Sequence, residues 1–346
     1  MSGLEKILKK KLKNQKKKWL ITGVAGFIGS NLLESLLKNN QKVVGLDNFS
    51  TGFKKNLNFV KLNLPHKQWK NFTLIEGSIE DYNICKKACK NIDYVLHQAA
   101  IGSVPRSVKD PVYTNSSNVS GFLNMITAAK NAKVTKFIYA SSSSVYGNNF
   151  KLPKKEKNIG QALSPYALTK QINENYASIF YNLYGLKSIG LRYFNVFGKN
   201  QNPNGSYAAV IPKWIIAMIN NNKINIYGDG KTSRDFCFIE NVVLANILSA
   251  ITQTINCKQY NVANGNRVSL LVLFNEIKKN LRLNGIKYEK KPIHQDFRDG
   301  DIKHSLADIY QIKKDLKYKP ILNFETGIKK LIPWYIKNIN LFNKND

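Results

Sequence analysis

The sequence is short of acids, of arginine, of cysteine and of long apolar runs, and each shortage removes a class of explanation. Against 53 lysines and arginines stand only 22 aspartates and glutamates, for a formal charge of +31. Only six of those 53 bases are arginine: Arg106, Arg192, Arg234, Arg267, Arg282 and Arg298. Specific readers of phosphates and base edges lean on arginine's planar fork, so an excess made of lysine argues against specific nucleic-acid recognition. With Asn and Ile also abundant, the excess reads as compositional bias. The four cysteines, Cys85, Cys89, Cys237 and Cys257, are scattered through 346 residues. They make no disulfide framework and suit a reducing cytoplasm. Cys85 and Cys89 share a helix face, but no second ligand pair answers them, so no metal site is expected. No apolar run nears the ~18–20 residues that cross a bilayer, so stable membrane insertion is not expected. The opening Leu4 to Lys11 segment is no signal peptide, since no long apolar stretch follows it.

What is present is an ordinary globular composition, 43% hydrophobic and 11% aromatic, in a chain long enough for two domains or one with a lobe. Residues 1–18 read as a basic N-terminal helix. Leu4, Ile7 (or Leu8) and Leu12 form a narrow apolar stripe, which fits a short helix laid on the next domain with its lysines in water, in preference to a membrane-surface anchor. Short apolar strands are expected at 19–22, 42–47, 72–76, 94–97, 136–140 and 187–191. Helical patterns at 31–38, 120–132 and 165–184 lie between them. That alternation predicts an α/β fold, a Rossmann-type doubly wound parallel sheet with helices on both faces. Strands that are apolar throughout imply burial on both sides. After about Asn195 the rhythm changes to short mixed elements, which suggests a smaller mixed α/β substrate-binding lobe.

Gly23-Val24-Ala25-Gly26-Phe27-Ile28-Gly29 directly follows the first strand and opens a helix. Such glycines let the backbone approach a pyrophosphate, which then rests on the helix N-terminus. Asp47 ends the second strand, where an acid accepts from the adenosine ribose and repels a 2′-phosphate. NAD is therefore expected rather than NADP. Tyr166 and Lys170 stand four apart on a predicted helix and share a face. A phenol ordinarily ionises near pH ~10, so a tyrosine base needs a neighbouring cation to lower its pKa. With the serine run Ser141 to Ser144 upstream, these parts suit hydride removal from a carbinol.

Four stretches resemble the extended short-chain dehydrogenase/reductases: Thr22 to Gly29, Ser141 to Gly147, Tyr166-x-x-x-Lys170 and Leu191 to Gly198. Within that group the chain is similar to the UDP-hexose 4-epimerases, in particular the UDP-N-acetylglucosamine 4-epimerase branch, over about residues 18–335. The resemblance implies that Tyr166 takes the 4-hydroxyl proton, Lys170 holds the phenolate and bonds the nicotinamide ribose, and Ser142, with Ser144, bonds the 4-oxygen. It further implies cofactor contacts at Asn48, Ser50, Thr51, Gly52, Gln98, Ala99, Ala100, Asn115 and Tyr193. Ser78-Ile79 stands where the family often has Asp-Ile against the adenine.

For the sugar nucleotide the resemblance implies a pyrophosphate clamp of Arg234 and Arg298, with Tyr227 on uracil and Asp301 on the uridine ribose. Gly102, Ser103, Ser143, Asn195, Gln201, Ala209 and Val210 are expected around the sugar. Small Ser305 stands where enzymes confined to UDP-glucose and UDP-galactose carry a large residue, which leaves room for a 2-acetamido group. The division expected is an NAD-binding domain at 19–194, to which 236–264 return, and a UDP-sugar lobe at 195–235 and 265–346. The activity implied is C4 epimerisation of UDP-N-acetylhexosamines, or of their uronic acids, for surface polysaccharide. A homodimer formed through a four-helix interface is implied as well. A UDP-glucose 4-epimerase, a nucleotide-sugar dehydratase or decarboxylase, and an inactive NAD-binding protein with a basic nucleic-acid- or membrane-binding surface stay open as alternatives.

Overall fold

A computed structural model describes residues 2–13, 16–204, 208–297 and 303–342. Its centre is a seven-stranded parallel sheet: β1 (Lys18–Thr22), β2 (Lys42–Asp47), β3 (Phe72–Glu76), β4 (Tyr94–His97), β5 (Lys136–Ser142), β6 (Ser188–Tyr193) and β7 (Cys257–Val262). The order across the sheet is β7-β6-β5-β4-β1-β2-β3, every neighbouring pair being parallel. Strand order therefore reverses between β1 and β4. In an open α/β sheet that reversal leaves a crevice at the carboxyl ends of the strands, where ligands bind. Trp19, Leu20 and Ile21 of β1 and Val95 and Leu96 of β4 are buried between helices on both faces. β3 departs from this pattern. As an edge strand with one neighbour it leaves Thr73, Leu74 and Glu76 exposed.

The helices start and stop where local chemistry dictates. Helix Phe27–Lys38 begins earlier than its apolar periodicity suggests, because Gly26 in extended conformation caps it without a side chain. Helix Pro165–Tyr184 has the Ser164 hydroxyl accepting from Ala167 N at its start, Pro165 in its first turn, and Gly185 in the left-handed region at its end. Helix Gly121–Asn131 is entered through a π turn, Ser116–Ser120. β7 returns to the sheet from far along the chain, running beside β6 from Cys257 to Val262. Helix Ile239–Ile251 packs on helix Phe27–Lys38 and on β5 and β6.

The N-terminal helix, Gly3–Leu12, lies on the domain through Leu4, Leu8 and Leu12, all buried, while Ile7 and the lysines face water. Ser2 and Glu5 form a reciprocal cap at its start. Glu5 also bonds Lys38 at 3.1 Å, tying this helix to the one that begins at the glycine loop. Burying three leucines contributes about 1.5–3 kcal/mol each, far more than the exposed lysines. No helix among the described residues is long and apolar enough to cross a membrane.

Candidate active site

A cavity of about 710 Å³ opens at the strand reversal. On its floor the glycine loop makes a cradle that no side chain could share. Gly23 has φ +67°, and a Cβ there would lie 2.8 Å from Ala99 N. A Cβ on Gly29 would lie 2.1 Å from the Gly23 carbonyl oxygen. The first turn of helix Phe27–Lys38 faces the cavity through Phe27, Ile28 and Gly29, so free N–H groups and the positive end of the helix dipole meet there. This is the chemistry a pyrophosphate needs.

Asp47 lines the same cavity, with Asn48, Ser50, Thr51 and Gly52 beside it. Its carboxylate accepts from Ala25 N and from Phe49 N, both at 2.8 Å. Burial pushes its pKa up while those two N–H groups pull it down. The far wall carries Ile79, Gln98, Ala99, Ala100 and Tyr193. Tyr193 donates to Gln98 Oε1 at 3.0 Å and accepts from Asn246 Nδ2 at 2.9 Å, which fixes both side chains. Gln201 and Ala209 close the mouth. Among the described residues Gln201 Oε1 is buried without a hydrogen-bond partner. Cradle, acid and orphaned oxygen together fit a dinucleotide.

Tyr166 and Lys170 also face this cavity. Lys170 Nζ donates to Ala140 O at 2.9 Å and stands 5.8 Å from the centre of the Tyr166 ring. Burial pulls the Lys170 ammonium down to about 8, with the Glu174 carboxylate opposing. Burial raises the Tyr166 phenol above its ordinary value, and a hydrogen bond from Ser142 opposes it. The lowered tyrosine pKa expected from the sequence is thus not met by the chain alone, because Lys170 is drawn to a backbone carbonyl and the phenol is desolvated. Ser142 Oγ lies 3.1 Å from Ser144 Oγ and accepts from Ser144 N, so the two hydroxyls lie together. Neither they nor Ser143 line the cavity, although Ala140 and Ser141 do.

Other expected residues lie elsewhere. Ser103 caps helix Val104–Lys109 by accepting from Arg106 N; only its neighbour Gly102 reaches the cavity. Ser78 accepts from Glu80 N in a turn. Asn115, at the end of helix Pro111–Asn115, is exposed and off the cavity. Three residues on, buried Asn118 clamps both Ile101 N and Ile101 O and reaches Thr169 Oγ1. Asn195 is exposed with φ +30°, and Val210 begins helix Val210–Ile219 beside Ala209. Tyr227 lies on the short strand 225–227, next to 293–295. Arg234 Nη1 donates to Ser233 O and Lys303 O, and Ser305 N donates to Ser233 O, so Arg234 and Ser305 lie on adjoining segments. Arg298 and Asp301 lie outside the described residues.

Several residues at or behind the cavity are not singled out by the sequence. Arg106, one of only six arginines in the sequence, lines the wall. Ser107, fully buried, accepts from Tyr166 N at 3.0 Å and so anchors the start of the Tyr–Lys helix. His97 is buried at the end of β4, its Nδ1 2.8 Å from Thr22 Oγ1, and burial pushes its pKa down to about 3, so it is neutral beside Lys170. Among the described residues no three His, Cys, Asp or Glu side chains converge as a metal site. Cys85 and Cys89 are buried thiols pushed up to about 12.

Comparison with known proteins agrees with this geometry. The pattern of the NAD dependent epimerase/dehydratase family matches residues 19–263. A protein described as a putative UDP-glucose 4-epimerase from Methanocaldococcus jannaschii is 35% identical over 324 residues, 93% of this chain and 99% of that one. Two solved structures are similar. One is a UDP-N-acetylglucosamine 4-epimerase from Methanobrevibacter ruminantium in complex with UDP-N-acetylmuramic acid, at 39% identity and TM-score 0.84, covering 93% of this chain and 99% of that one. The other is a UDP-glucose 4-epimerase from Thermotoga maritima with UDP-glucose, at 32% identity and TM-score 0.84, with the same coverage.

Proposed function

This chain belongs to the NAD dependent epimerase/dehydratase family, with NAD as its cofactor, and we propose that it interconverts UDP-N-acetylglucosamine and UDP-N-acetylgalactosamine at C4. The observation that carries the reading is the placing of Tyr166 and Lys170 in the wall of the cavity whose floor is the glycine cradle. NAD, when bound, supplies an acceptor and donor for the hydride at the sugar's C4. Tyr166 takes the 4-hydroxyl proton as that carbon is oxidised and returns it after the 4-keto sugar has turned over. Lys170 stabilises the phenolate, which burial otherwise disfavours. Ser142, bonded to Tyr166, holds the 4-oxygen, and Ser144 beside it shares that task.

The N-acetylated substrate is supported by Ser305, whose small side chain leaves room for an acetamido group, and by the similarity to a UDP-N-acetylglucosamine 4-epimerase. Arg234 and Arg298 are assigned to the pyrophosphate, Tyr227 to uracil and Asp301 to the uridine ribose, within a sugar-nucleotide lobe of 195–235 and 265–346. A second copy is assigned to the exposed apolar residues Leu168, Ile179 and Leu183 of helix Pro165–Tyr184, 48–68% exposed. The work is assigned to the cytoplasm and to surface polysaccharide synthesis. Dehydration is disfavoured, because Ser143-Ser144 stand where a dehydratase needs an acid and a base.

The test supplies plain, acetylated and uronic UDP-sugars in turn and reads products by proton NMR. Acetylated sugars should turn over, and Ser305→Tyr should suppress them far more than UDP-glucose. Exclusive turnover of UDP-glucose, or release of water or carbon dioxide, would refute the assignment.

A further inference from the structure

Behind the Tyr–Lys pair lies a buried ion pair that the catalytic cycle does not itself require. Tyr166, Lys170 and Glu174 follow one another at four-residue spacing, so all three share one face of helix Pro165–Tyr184. Glu174 is 6% exposed and Arg192, on β6, is 3% exposed. The pair is bidentate: Arg192 Nε to Glu174 Oε1 at 2.8 Å and Nη2 to Oε2 at 2.7 Å. A third donor, the Ser141 hydroxyl on β5, reaches Glu174 Oε1 at 2.6 Å.

The cluster runs on across the sheet. Arg192 Nη1 donates to the Tyr146 hydroxyl and to Glu156 O, and Tyr146 donates to Asn261 on β7. Glu174 therefore sits where helix, β5 and β6 meet, one turn behind Lys170 and one hydrogen bond from Ser141. Ser141 lies between Ala140, whose carbonyl holds Lys170, and Ser142, which bonds Tyr166.

A buried ion pair is a poor way to gain stability, since desolvating both charges offsets their attraction. Its position gives it another use. Tyr166, Glu174 and His97 on β4 are the charged and titratable groups near Lys170, and Tyr139 on β5 and Arg192 on β6 face Glu174. His97 and Tyr139 are held neutral by burial. Glu174 is thus the anion that faces the Lys170 ammonium, and Arg192 fixes its two oxygens in place.

We propose that Glu174, held by Arg192 and Ser141, is a positioning residue that sets the protonation of Lys170 and Tyr166 and the register of the Ala140–Ser142 strand end. The proposal rests on the roles given above to Tyr166 and Lys170. Losing the Glu174 charge leaves Lys170 and Arg192 buried without the anion between them. Lys170 then gives up its proton at lower pH, and the phenol, losing the cation that stabilises its phenolate, ionises at higher pH.

The test uses Glu174→Gln, which keeps the shape and removes the charge, and Glu174→Asp, which keeps the charge. Two readouts are taken: the pH profile of kcat, and the phenolate absorbance titration of the protein minus that of its Tyr166→Phe form, which needs no sugar. At the four-residue spacing of Lys170 and Glu174 and the effective dielectric of a protein site, the kcat midpoint set by Lys170 should fall by about 1–2 pH units in Glu174→Gln, and the phenolate midpoint should rise. Glu174→Asp should hold them near the parent values. Should Glu174→Gln fail to fold because Arg192 is left unpaired, Glu174→Gln with Arg192→Met removes both charges and should shift the midpoints the same way by less. Unmoved midpoints with kcat reduced evenly at every pH would mean a merely structural pair and would overturn the proposal. Absence of turnover in the parent protein would instead sink the epimerase reading, with the absorbance titration still deciding this one.

Discussion

Gly29→Ala sets two simple effects against each other. Gly29 lies inside helix Phe27–Lys38, and in an ordinary helix interior the change to alanine stabilises by about 1 kcal/mol. Here the new Cβ would stand 2.1 Å from Gly23 O, 2.8 Å from Val24 Cα and 2.9 Å from the Gly23 carbonyl carbon. All three are backbone atoms, so no side chain can swing aside. Ordinary contact begins at 3.4 Å, so the Gly23 carbonyl must retreat by about 1.3 Å (3.4 less 2.1). That carbonyl accepts from Gly26 N, and Gly23 N donates to Leu46 O; both bonds define the cradle. Overpacking of this kind costs about 1–3 kcal/mol. If the cost falls on the cofactor-binding shape of the loop, NAD affinity drops about 5- to 150-fold. Calorimetric titration of stripped protein with NAD, beside a thermal melt, measures both quantities. A Gly29→Ala protein that binds NAD as tightly as the parent and melts higher would refute the cradle argument.

Four further outcomes follow from the same geometry. Tyr166→Phe should abolish turnover in the NMR assay while NAD affinity stays within a few-fold, because the phenol rather than the ring carries the proton. The rate should decline above pH about 8, where Lys170 loses its proton. A folded lysine pKa below its unfolded value means that stability is full above the unfolded value and is lost as pH falls through about 8. Lys170→Met should therefore raise the melting temperature at pH 7 and lose that advantage by about pH 10; equal gains at both would contradict the burial cost assigned to Lys170. Leu8→Ala should cost about 2–3 kcal/mol in urea denaturation, since Leu8 is 1% exposed against the core, whereas Lys9→Ala should cost almost nothing.

Much of the architecture was legible because its signals are local. Trp19 to Thr22 reads as a strand, the glycines read as a phosphate loop, and Asp47 marks the next strand end; all three meet in one cavity. The helical pattern at 165–184 coincides with helix Pro165–Tyr184, whose ends are fixed by Ser164, Pro165 and Gly185. The region proposed for the sugar nucleotide was less legible for the opposite reason. Arg234 and Tyr227 sit on strands of two and three residues, too short for any period to show. Asn115, implied by the resemblance, stands three residues before Asn118, the asparagine that holds the cavity loop at Ile101.

Electrostatics set the firmest limit on reading this sequence. Lys170 and Glu174 lie four apart with opposite charge, the usual signature of a solvent-exposed helix pair worth a few tenths of a kcal/mol. In the fold both are buried, and the partner that makes burial tolerable, Arg192, lies on a different strand. The phase of helix Pro165–Tyr184 against β5 and β6 decides which of its charges lose water, and that phase is a property of the packed sheet. The same holds for the phenol: spacing announced a tyrosine beside a cation, but the pKa follows from where the ammonium points, and it points at Ala140 O. Residue types at a spacing can thus name the chemistry, while protonation is set by desolvation and by third partners distant in sequence. Lowering the Tyr166 pKa then falls to what joins it in the cavity: the Ser142 bond, the Lys170 charge, and the cofactor's own positive ring.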